Sequence, residues 1–161
     1  MRYRRVRIEG ATYFFTVVTY GRRSLFGDDR AVALLQEAIT KVQSRHPFEL
    51  EAQVVLPDHL RALWELPPGD SNFSTRWRLI KEAFTRKYAK QVDMLLRPGG
   101  SDPKYRHAVW QHRFWEHAIQ DDRDWEAHLD YIHLNPVQHG LAKAPRDWPH
   151  STFAKWVERG V

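Results

Sequence analysis

Two separated segments carry the side chains best suited to chemistry. Residues 55–64 read VLPDHLRALW and place His59 at the start of an apolar run typical of a strand. Residues 130–137 read DYIHLNPV and place the Tyr131 hydroxyl four residues before the Asn135 amide. On a helix, side chains at this spacing project from one face. Together the two segments indicate a nucleophile beside part of a metal site.

The metal site predicted in this way is incomplete. A strand that carries two metal ligands presents them at positions i and i+2, because alternate side chains share a face. The residue two positions after His59 is Arg61. Arginine offers hydrogen-bond donors and no acceptor, so it cannot ligate a metal ion. Leu60, between them, is expected to point into the core.

Tyr131 needs assistance to act as a nucleophile. A tyrosine hydroxyl has a pKa of roughly 10 and is a weak nucleophile at neutral pH. A divalent ion can help by polarising a phosphoryl oxygen and orienting the scissile bond, and the product is a phosphotyrosine ester. Taken alone, a tyrosine near a helix end is most often a surface residue, and a single strand histidine is most often structural. Only their combination favours catalysis.

The composition restricts the class of protein. A length of 161 residues predicts one domain, residues 1–161. The absence of cysteine excludes thiolate catalysis, disulfides and cysteine zinc sites, and fits the reducing cytoplasm. No apolar run is long enough for a signal region or a membrane span, so the expected location is cytoplasmic. The net charge of +5 and the seven tryptophans suit a polyanionic partner.

Hydrophobic periodicity predicts seven elements. Strands are expected at residues 11–19, 48–56, 59–66 and 115–119, with a tight turn at Pro57-Asp58. Helices are expected from Asp28 or Asp29 to Ser44, from Ser74 to about Lys90, and from Asp121 or Asp122 to Asn135, where Pro136 should end the helix. Residues 93–103 read as a loop. The order β-α-β-β-α-β-α predicts an α+β fold with a ferredoxin-like antiparallel sheet and helices packed on one face.

The helix predicted after Ser74 is amphipathic and strongly basic. Trp77, Ile80, Phe84 and Tyr88 form its apolar stripe, and arginines and lysines occupy the other faces. Each basic residue taken singly reads as a solvated surface residue, whereas the group is suited to phosphates. The candidate DNA-binding residues are Arg61, Arg76, Arg78, Lys81, Arg86, Lys87 and Arg113.

Histidines are concentrated in the last third of the chain, where seven of the nine lie beyond residue 106. No pair has a zinc spacing supported by further ligands, so the sequence does not predict a zinc site. His117 and His128 are the candidates for assisting the site or contacting DNA. His133, two residues after Tyr131 on a helix, should point away from it.

Several ordered segments together resemble a known family. They are YFFTV at 13–17, VVLPDHL at 54–60, RWRLIK at 76–81, WQHRFWEH at 110–117 and YIHLNPVQHGL at 131–141. In these segments the chain resembles the REP-associated tyrosine transposases, relatives of the IS200-like single-tyrosine transposases in the HUH endonuclease superfamily. The resemblance spans nearly the whole chain and therefore carries more weight than any single motif.

The resemblance implies a specific chemistry. It implies that Tyr131 is the nucleophile, that His59 is the first histidine of a metal-binding pair, and that Asn135 is the third ligand. It implies Mg²⁺ or Mn²⁺ as the ion, and single-stranded DNA with a hairpin from a repetitive extragenic palindrome as the substrate. It is also compatible with a monomer, the state we expect. The family's second histidine falls at position 61, where this chain has arginine.

Three functions follow as hypotheses. The first is cleavage and rejoining of hairpin-containing single-stranded DNA through a 5′-phosphotyrosine, impaired because Arg61 replaces a metal ligand. The second is a catalytically inactive protein that binds structured DNA through Arg61 and the basic helix. The third, an RNA-binding domain of ferredoxin-like topology, is disfavoured because the expected aromatic pair on central strands is not evident.

Overall fold

A four-stranded antiparallel sheet forms the centre of the protein. The computed structural model describes residues 7–96 and 109–160. The strands are β1 (Thr12–Val18), β2 (Glu49–Leu56), β3 (His59–Glu65) and β4 (Trp115–Ala118), in the spatial order β2-β3-β1-β4. The helices are α1 (Asp29–Arg45), α2 (Phe73–Leu96), α3 (Asp122–Gln138) and α4 (Phe153–Glu158), with short 3₁₀ turns at residues 20–22, 25–27 and 145–147.

The predicted fold class is confirmed. The sheet is antiparallel throughout, and β2 joins β3 through the turn at Pro57 and Asp58. The helices α1 and α2 connect β1 to β2 and β3 to β4, which is the ferredoxin-like connectivity. β1 is rich in aromatic and β-branched residues because both of its faces are covered.

The helices divide between the two faces of the sheet. Tyr13 and Phe15 of β1 pack with α1 and α2, and the Trp64 and Trp77 rings stack with centroids 4.2 Å apart. Phe14 points the opposite way, into a second core with Leu129 and Ile132 of α3. The expectation of helices on one face therefore describes α1 and α2, while α3 covers the other face. Burial patterns show that a strand is covered on both sides, but they do not say which helix covers which side.

The helix α2 is longer than its sequence pattern predicted. It begins at Phe73 and continues to Leu96, beyond the expected end near Lys90. Residues 93–96, which we expected to start a loop, are therefore helical. The remainder of that predicted loop, residues 97–103, lies outside the described residues.

The predicted end of the last long helix at Asn135 is wrong. The helix α3 continues to Gln138 with Pro136 inside it. A proline there removes one backbone donor, and burial of Asn135 and Pro136 offsets that loss. The amide of His139 donates to the Asn135 carbonyl at 3.0 Å, and Gly140, with φ of 71°, follows the helix end. Asn135 is consequently held on regular helix, one turn after Tyr131.

The segment after α3 packs on the outer edge of the sheet. The amide of Thr152 donates to the Gln53 carbonyl at 3.0 Å, and the Val55 amide donates to the His150 carbonyl at 2.9 Å. The Trp156 indole donates to the Glu51 carbonyl at 2.8 Å. Unpaired groups of edge strand β2 are thereby bonded, which the sequence did not predict.

Across residues 7–96 and 109–160, no helix has both the length and the apolar character that crossing a bilayer requires.

Candidate functional site

The strand β3 and the helix α3 bring the predicted site residues together. His59 and Arg61 lie on the α3 side of the sheet, as does Leu63 two positions further on. Leu60 is buried in the opposite core, as predicted. Tyr131 and Asn135 lie one helical turn apart on α3, and Arg61 contacts both of them. Arg61 is therefore the residue around which the site is arranged.

The guanidinium of Arg61 has three defined partners. Its Nη1 donates to the Thr16 hydroxyl at 2.8 Å, and its Nε donates to Asn135 Oδ1 at 3.3 Å. The same group lies 4.8 Å from the centre of the Tyr131 ring, a cation–π distance. Burial lowers the pKa of Arg61, while the Tyr131 hydroxyl and the Asp58 carboxylate oppose that shift. Arginine still stays protonated in proteins, so a positive charge lies between β3 and α3.

His59 presents one free nitrogen in a buried setting. Its side chain is 4% exposed, and Nδ1 lies 2.6 Å from the Asp58 carboxylate. Burial is the main cause that lowers the pKa of His59; Arg61 and His139 lower it further, whereas Asp58 raises it. Nε2 is buried and has no hydrogen-bond partner among the described residues. With Nδ1 donating to Asp58, Nε2 carries a lone pair.

This set of donors does not fit a divalent ion. Asn135 Oδ1 already accepts from Arg61, so of the two predicted ligand atoms only His59 Nε2 has no hydrogen-bond partner among the described residues. The Asn135 Nδ2 amide is buried without a partner among the described residues, and it is a donor. A guanidinium between the two prospective ligands would repel the ion. The expected Mg²⁺ or Mn²⁺ ligand pair of His59 and Asn135 therefore lacks the environment that such an ion requires.

Tyr131 is accessible to a large substrate. Its side chain is 36% exposed, and its ring meets the edge of Phe14 with centroids 6.0 Å apart. One face of the ring is occupied by Arg61. His133, on the same helix, instead bonds to Thr152 at 2.9 Å, so it points away from Tyr131 as predicted.

A second group of titratable side chains lies beside this site, and we call it the β4–α3 cluster. It consists of His117 on β4 and Asp124 and His128 on α3. His117 Nε2 lies 2.7 Å and His128 Nδ1 lies 3.1 Å from the Asp124 carboxylate. Both histidines are candidates from the sequence, but their contact with Asp124 was not predicted. The four-residue spacing of Asp124 and His128 is visible in the sequence, whereas the approach of His117 requires the fold.

Arg76, which we expected to bind DNA, is buried. Its side chain is 3% exposed, and its guanidinium binds both Asp70 carboxylate oxygens, at 3.1 and 2.8 Å. It also donates to the carbonyls of His46, Pro47 and Asn72. Arg76 therefore joins the start of α2 to the turn before β2, and it has no surface to offer a phosphate.

The other candidates on α2 lie across the sheet from Tyr131. Arg78 is exposed and pairs with Glu82, and Lys87 is exposed and pairs with Glu37. Arg86 is exposed, whereas Lys81 is half-buried and donates to the Gln111 carbonyl at 3.2 Å. Arg113 is exposed just before β4. Of the seven candidates, the structure brings only Arg61 into contact with Tyr131.

The comparisons with known proteins agree with this architecture. No protein-family model matches the chain. The chain is 44% identical over 159 residues to a REP-associated tyrosine transposase of Escherichia coli K12, covering 99% of this chain and 86% of that protein. It is 39% identical over 160 residues to a relative with the same family name from Haemophilus influenzae, covering 99% of this chain and 89% of the relative.

Two solved structures resemble the fold. A REP-associated tyrosine transposase bound to a REP hairpin matches with a TM-score of 0.83 and 44% identity, covering 99% of this chain and 87% of that one. A protein described as a transposase from Deinococcus radiodurans matches with a TM-score of 0.55 and 18% identity, covering 82% and 95%, which supports the fold alone. The alignment with the E. coli protein covers 99% of this chain and therefore includes both β3 and α3. The chain therefore belongs to the REP-associated tyrosine transposase family.

Proposed function

We propose that this chain binds hairpin-containing single-stranded DNA and cleaves it through Tyr131, at a rate reduced by Arg61. The observation that carries the proposal is the contact of the Arg61 guanidinium with Tyr131 and Asn135. The relative solved in complex with a REP hairpin supports DNA of that kind as the partner. Exposure of Tyr131 supports its access to a phosphodiester.

The reaction that this arrangement supports is a transfer of the phosphoryl group to tyrosine. The phenolic oxygen of Tyr131 attacks phosphorus, the new O–P bond forms, and the bond to the 3′ oxygen of the preceding nucleotide breaks. The tyrosine proton leaves to solvent, and the 3′ oxygen gains a proton. The product is a 5′-phosphotyrosine. Attack of a 3′ hydroxyl on its phosphorus releases Tyr131 and rejoins a strand.

Arg61 supplies charge to this step without the ordering that a metal ion supplies. Thr16 and Asn135 engage two of its N–H groups, and the guanidinium fork has five donors in total. The remaining donors suit a phosphate oxygen, since guanidinium and phosphate form paired hydrogen bonds. A guanidinium does not hold other ligands around itself, so the orientation of the scissile bond is weaker than at a metal centre.

A second function, binding of structured DNA without cleavage, is favoured by one specific observation. Arg61 occupies the ligand oxygen of Asn135 and one face of the Tyr131 ring at the same time. If that arrangement persists with DNA bound, Tyr131 does not reach phosphorus. Binding would then depend strongly on salt and would be indifferent to a chelator.

The test is a covalent-adduct assay on a hairpin-bearing oligonucleotide with Mn²⁺. The chain itself is compared with Arg61→His, with Tyr131→Phe, and with Arg45→His, at an exposed arginine at the end of α1, as a matched control. We expect Arg61→His to raise the adduct rate by on the order of 10²-fold and to make it sensitive to chelator. Arg45→His should leave the rate unchanged.

Each other outcome of this assay has a defined meaning. An adduct that survives Tyr131→Phe would show that another group is the nucleophile. An equal adduct rate in Arg61→His and Arg45→His would show that position 61 does not limit cleavage. Specific hairpin binding with no adduct in any variant would rule out cleavage and would support binding without cleavage as the function.

The monomeric state and the cytoplasmic location belong to the same proposal. The lack of cysteine fits a reducing compartment. Light scattering of the purified chain with and without the hairpin oligonucleotide measures the oligomeric state. A dimer mass in both samples would contradict the expected monomer.

A further inference from the structure

We propose that the β4–α3 cluster, formed by His117, Asp124 and His128, binds a divalent transition-metal ion. Its ligand atoms lie within 4.8 Å of one another. The proposed site is separate from His59 and contains none of the residues that the family resemblance assigns to metal. It rests on the cluster itself and does not depend on DNA cleavage.

The geometry places three ligand atoms around one point. The Asp124 carboxylate lies 2.7 Å from His117 Nε2 and 3.1 Å from His128 Nδ1, so it bridges the two rings. The rings are nearly parallel, with centroids 4.8 Å apart and an angle of 21°. Small rotations of the two imidazoles are enough to direct both nitrogens at an ion beside the carboxylate. All three side chains are partly exposed, so an ion can enter without unfolding.

The residues around the cluster hold these ligands in place. The Asp124 carboxylate also accepts from the Gln120 amide at 2.9 Å, and the Asp124 amide donates to Asp121 Oδ1 at 2.8 Å. The Phe14 ring lies against His128 with centroids 4.7 Å apart. Fixed ligands of this kind increase metal affinity because little ordering remains to be done on binding.

A metal-free role for the cluster is the competing explanation. His128 Nδ1 lies 2.8 Å from the Asp124 carbonyl, one helical turn back, and donates a hydrogen bond there in the absence of an ion. Metal binding requires His128 to give up that bond and carry its proton on the other ring nitrogen. If the cluster only caps α3 and fastens β4 to it, the variants below will change stability without changing metal affinity.

The ligand types define the class of ion. Two imidazole nitrogens and one carboxylate oxygen suit Zn²⁺, Co²⁺, Ni²⁺ or Mn²⁺, whereas Mg²⁺ and Ca²⁺ prefer oxygen ligands throughout. Three protein ligands leave coordination positions for water or a phosphate oxygen. His128 precedes Tyr131 by three residues on α3, and the Phe14 ring contacts both side chains. An ion bound by the cluster therefore lies on the same face of the sheet as Tyr131.

Co²⁺ is the appropriate first probe, because its visible absorption reports nitrogen coordination directly. The full chain is titrated with Co²⁺ alone, and Zn²⁺ is then added in competition. We expect one bound Co²⁺ per chain, displaced by Zn²⁺, and an affinity at least about ten-fold lower in His117→Gln and in His128→Gln. The rise in Tm that Zn²⁺ causes in the unmodified chain should be lost in both variants.

Two control variants make the assignment specific. His150→Gln removes a histidine that pairs with Asp29 at 2.9 Å and has no third ligand among the described residues, so Co²⁺ affinity should stay unchanged. His59→Gln tests the other histidine of the central sheet and should also leave the affinity unchanged. Three results would each overturn the proposal: absence of Co²⁺ binding to the unmodified chain, a Co²⁺ affinity in His117→Gln or His128→Gln equal to that of the unmodified chain, or loss of binding in His59→Gln. Circular dichroism of the metal-free variants confirms that they are folded.

Discussion

At the scale of single residues, Arg61 determines the character of the site. Its contacts with Thr16, Asn135 and Tyr131 use the face of β3 on which a second ligand was expected. Burial lowers the pKa of the neighbouring His59 imidazole, and the positive charge of Arg61 lowers it further, whereas Asp58 raises it. One side chain thus contributes to the environment of His59, Tyr131 and Asn135.

Trp115 is a second residue with a consequence for DNA binding. It is 68% exposed, pairs with Thr16 across the sheet, and Thr16 pairs in turn with Arg61 on its other side. The three side chains therefore form a row on one face. Under the proposed function we expect Trp115 to stack on a DNA base, a contact typically worth about 1–3 kcal/mol.

Replacing that indole should weaken hairpin binding in a graded way. Trp115→Ala is expected to raise Kd by roughly 10- to 100-fold, and Trp115→Phe by much less, because a ring remains to stack. Fluorescence anisotropy with a labelled hairpin oligonucleotide measures both. Tyr20→Ala, which removes another half-exposed aromatic ring, is the matched control. An equal rise of Kd in Trp115→Ala and Tyr20→Ala would contradict stacking of Trp115 on a DNA base.

His133 predicts a pH dependence of stability. Its ring is buried against Phe153, and burial lowers its pKa from the usual 6.5, with Asp130 opposing. The unfolded chain then binds a proton more readily than the folded one. The stabilisation by neutral His133 is therefore complete above pH 6.5. It is expected to be lost as the pH falls below 6.5, so the free energy of unfolding decreases there.

The variant His133→Gln should make this fall shallower. His59 has a pKa lowered in the same direction, so part of the dependence should remain. Urea unfolding of both chains at about pH 7.5 and about pH 5.5 measures the difference. Parallel losses in the two chains would show that His133 does not titrate with unfolding.

At the scale of elements, α2 shows why a basic helix pattern is ambiguous. Arg76 and Arg78 belong to the same run of charges, yet one is buried in a network with Asp70 and the other is exposed. We expect Arg76→Ala to lower the free energy of unfolding by about 1–3 kcal/mol, because it removes a charged donor from Asp70 and from three backbone carbonyls. Urea unfolding measures the loss, and Arg78→Ala should change it by less than about 0.5 kcal/mol. Similar small effects of the two would show that the Arg76 network contributes little.

At the scale of the whole molecule, the segment after α3 completes the sheet. Trp148, Thr152 and Trp156 all bond to the backbone of β2, which is an edge strand. Such an edge, left open, pairs with other chains. We therefore expect residues 148–156 to stabilise the fold and to limit pairing of β2 with other chains.

Removal of that segment should expose β2. A chain that ends at Asp147 is expected to have a Tm lower by at least about 5 °C and to form oligomers, as measured by thermal unfolding and light scattering. A control chain that ends at Glu158 keeps the bonds to β2 and should match the full chain. A monomeric Asp147-terminated chain of unchanged Tm would contradict that role of residues 148–156.

Much of this molecule could be predicted from local patterns. The four strands, the turn at Pro57 and the antiparallel ferredoxin-like order follow from alternation and turn chemistry, and the structure confirms them. The helix end at Asn135 could not be predicted, because burial of Pro136 outweighs a local preference. The burial of Arg76 could not be predicted either, because the fold brings its guanidinium to the Asp70 carboxylate. The organisation of residues 1–161 as one domain stays a prediction.

The sequence by itself determined the family, the fold class and the candidate positions Tyr131, His59 and Asn135, because side-chain type and spacing are properties of the chain. Only the tertiary structure decided that α3 covers the face carrying Arg61, and that His117 meets Asp124 and His128. These contacts join residues distant in sequence, and their distances depend on how the helices pack on the sheet. Local patterns state which side chains are available, and packing determines which of them meet.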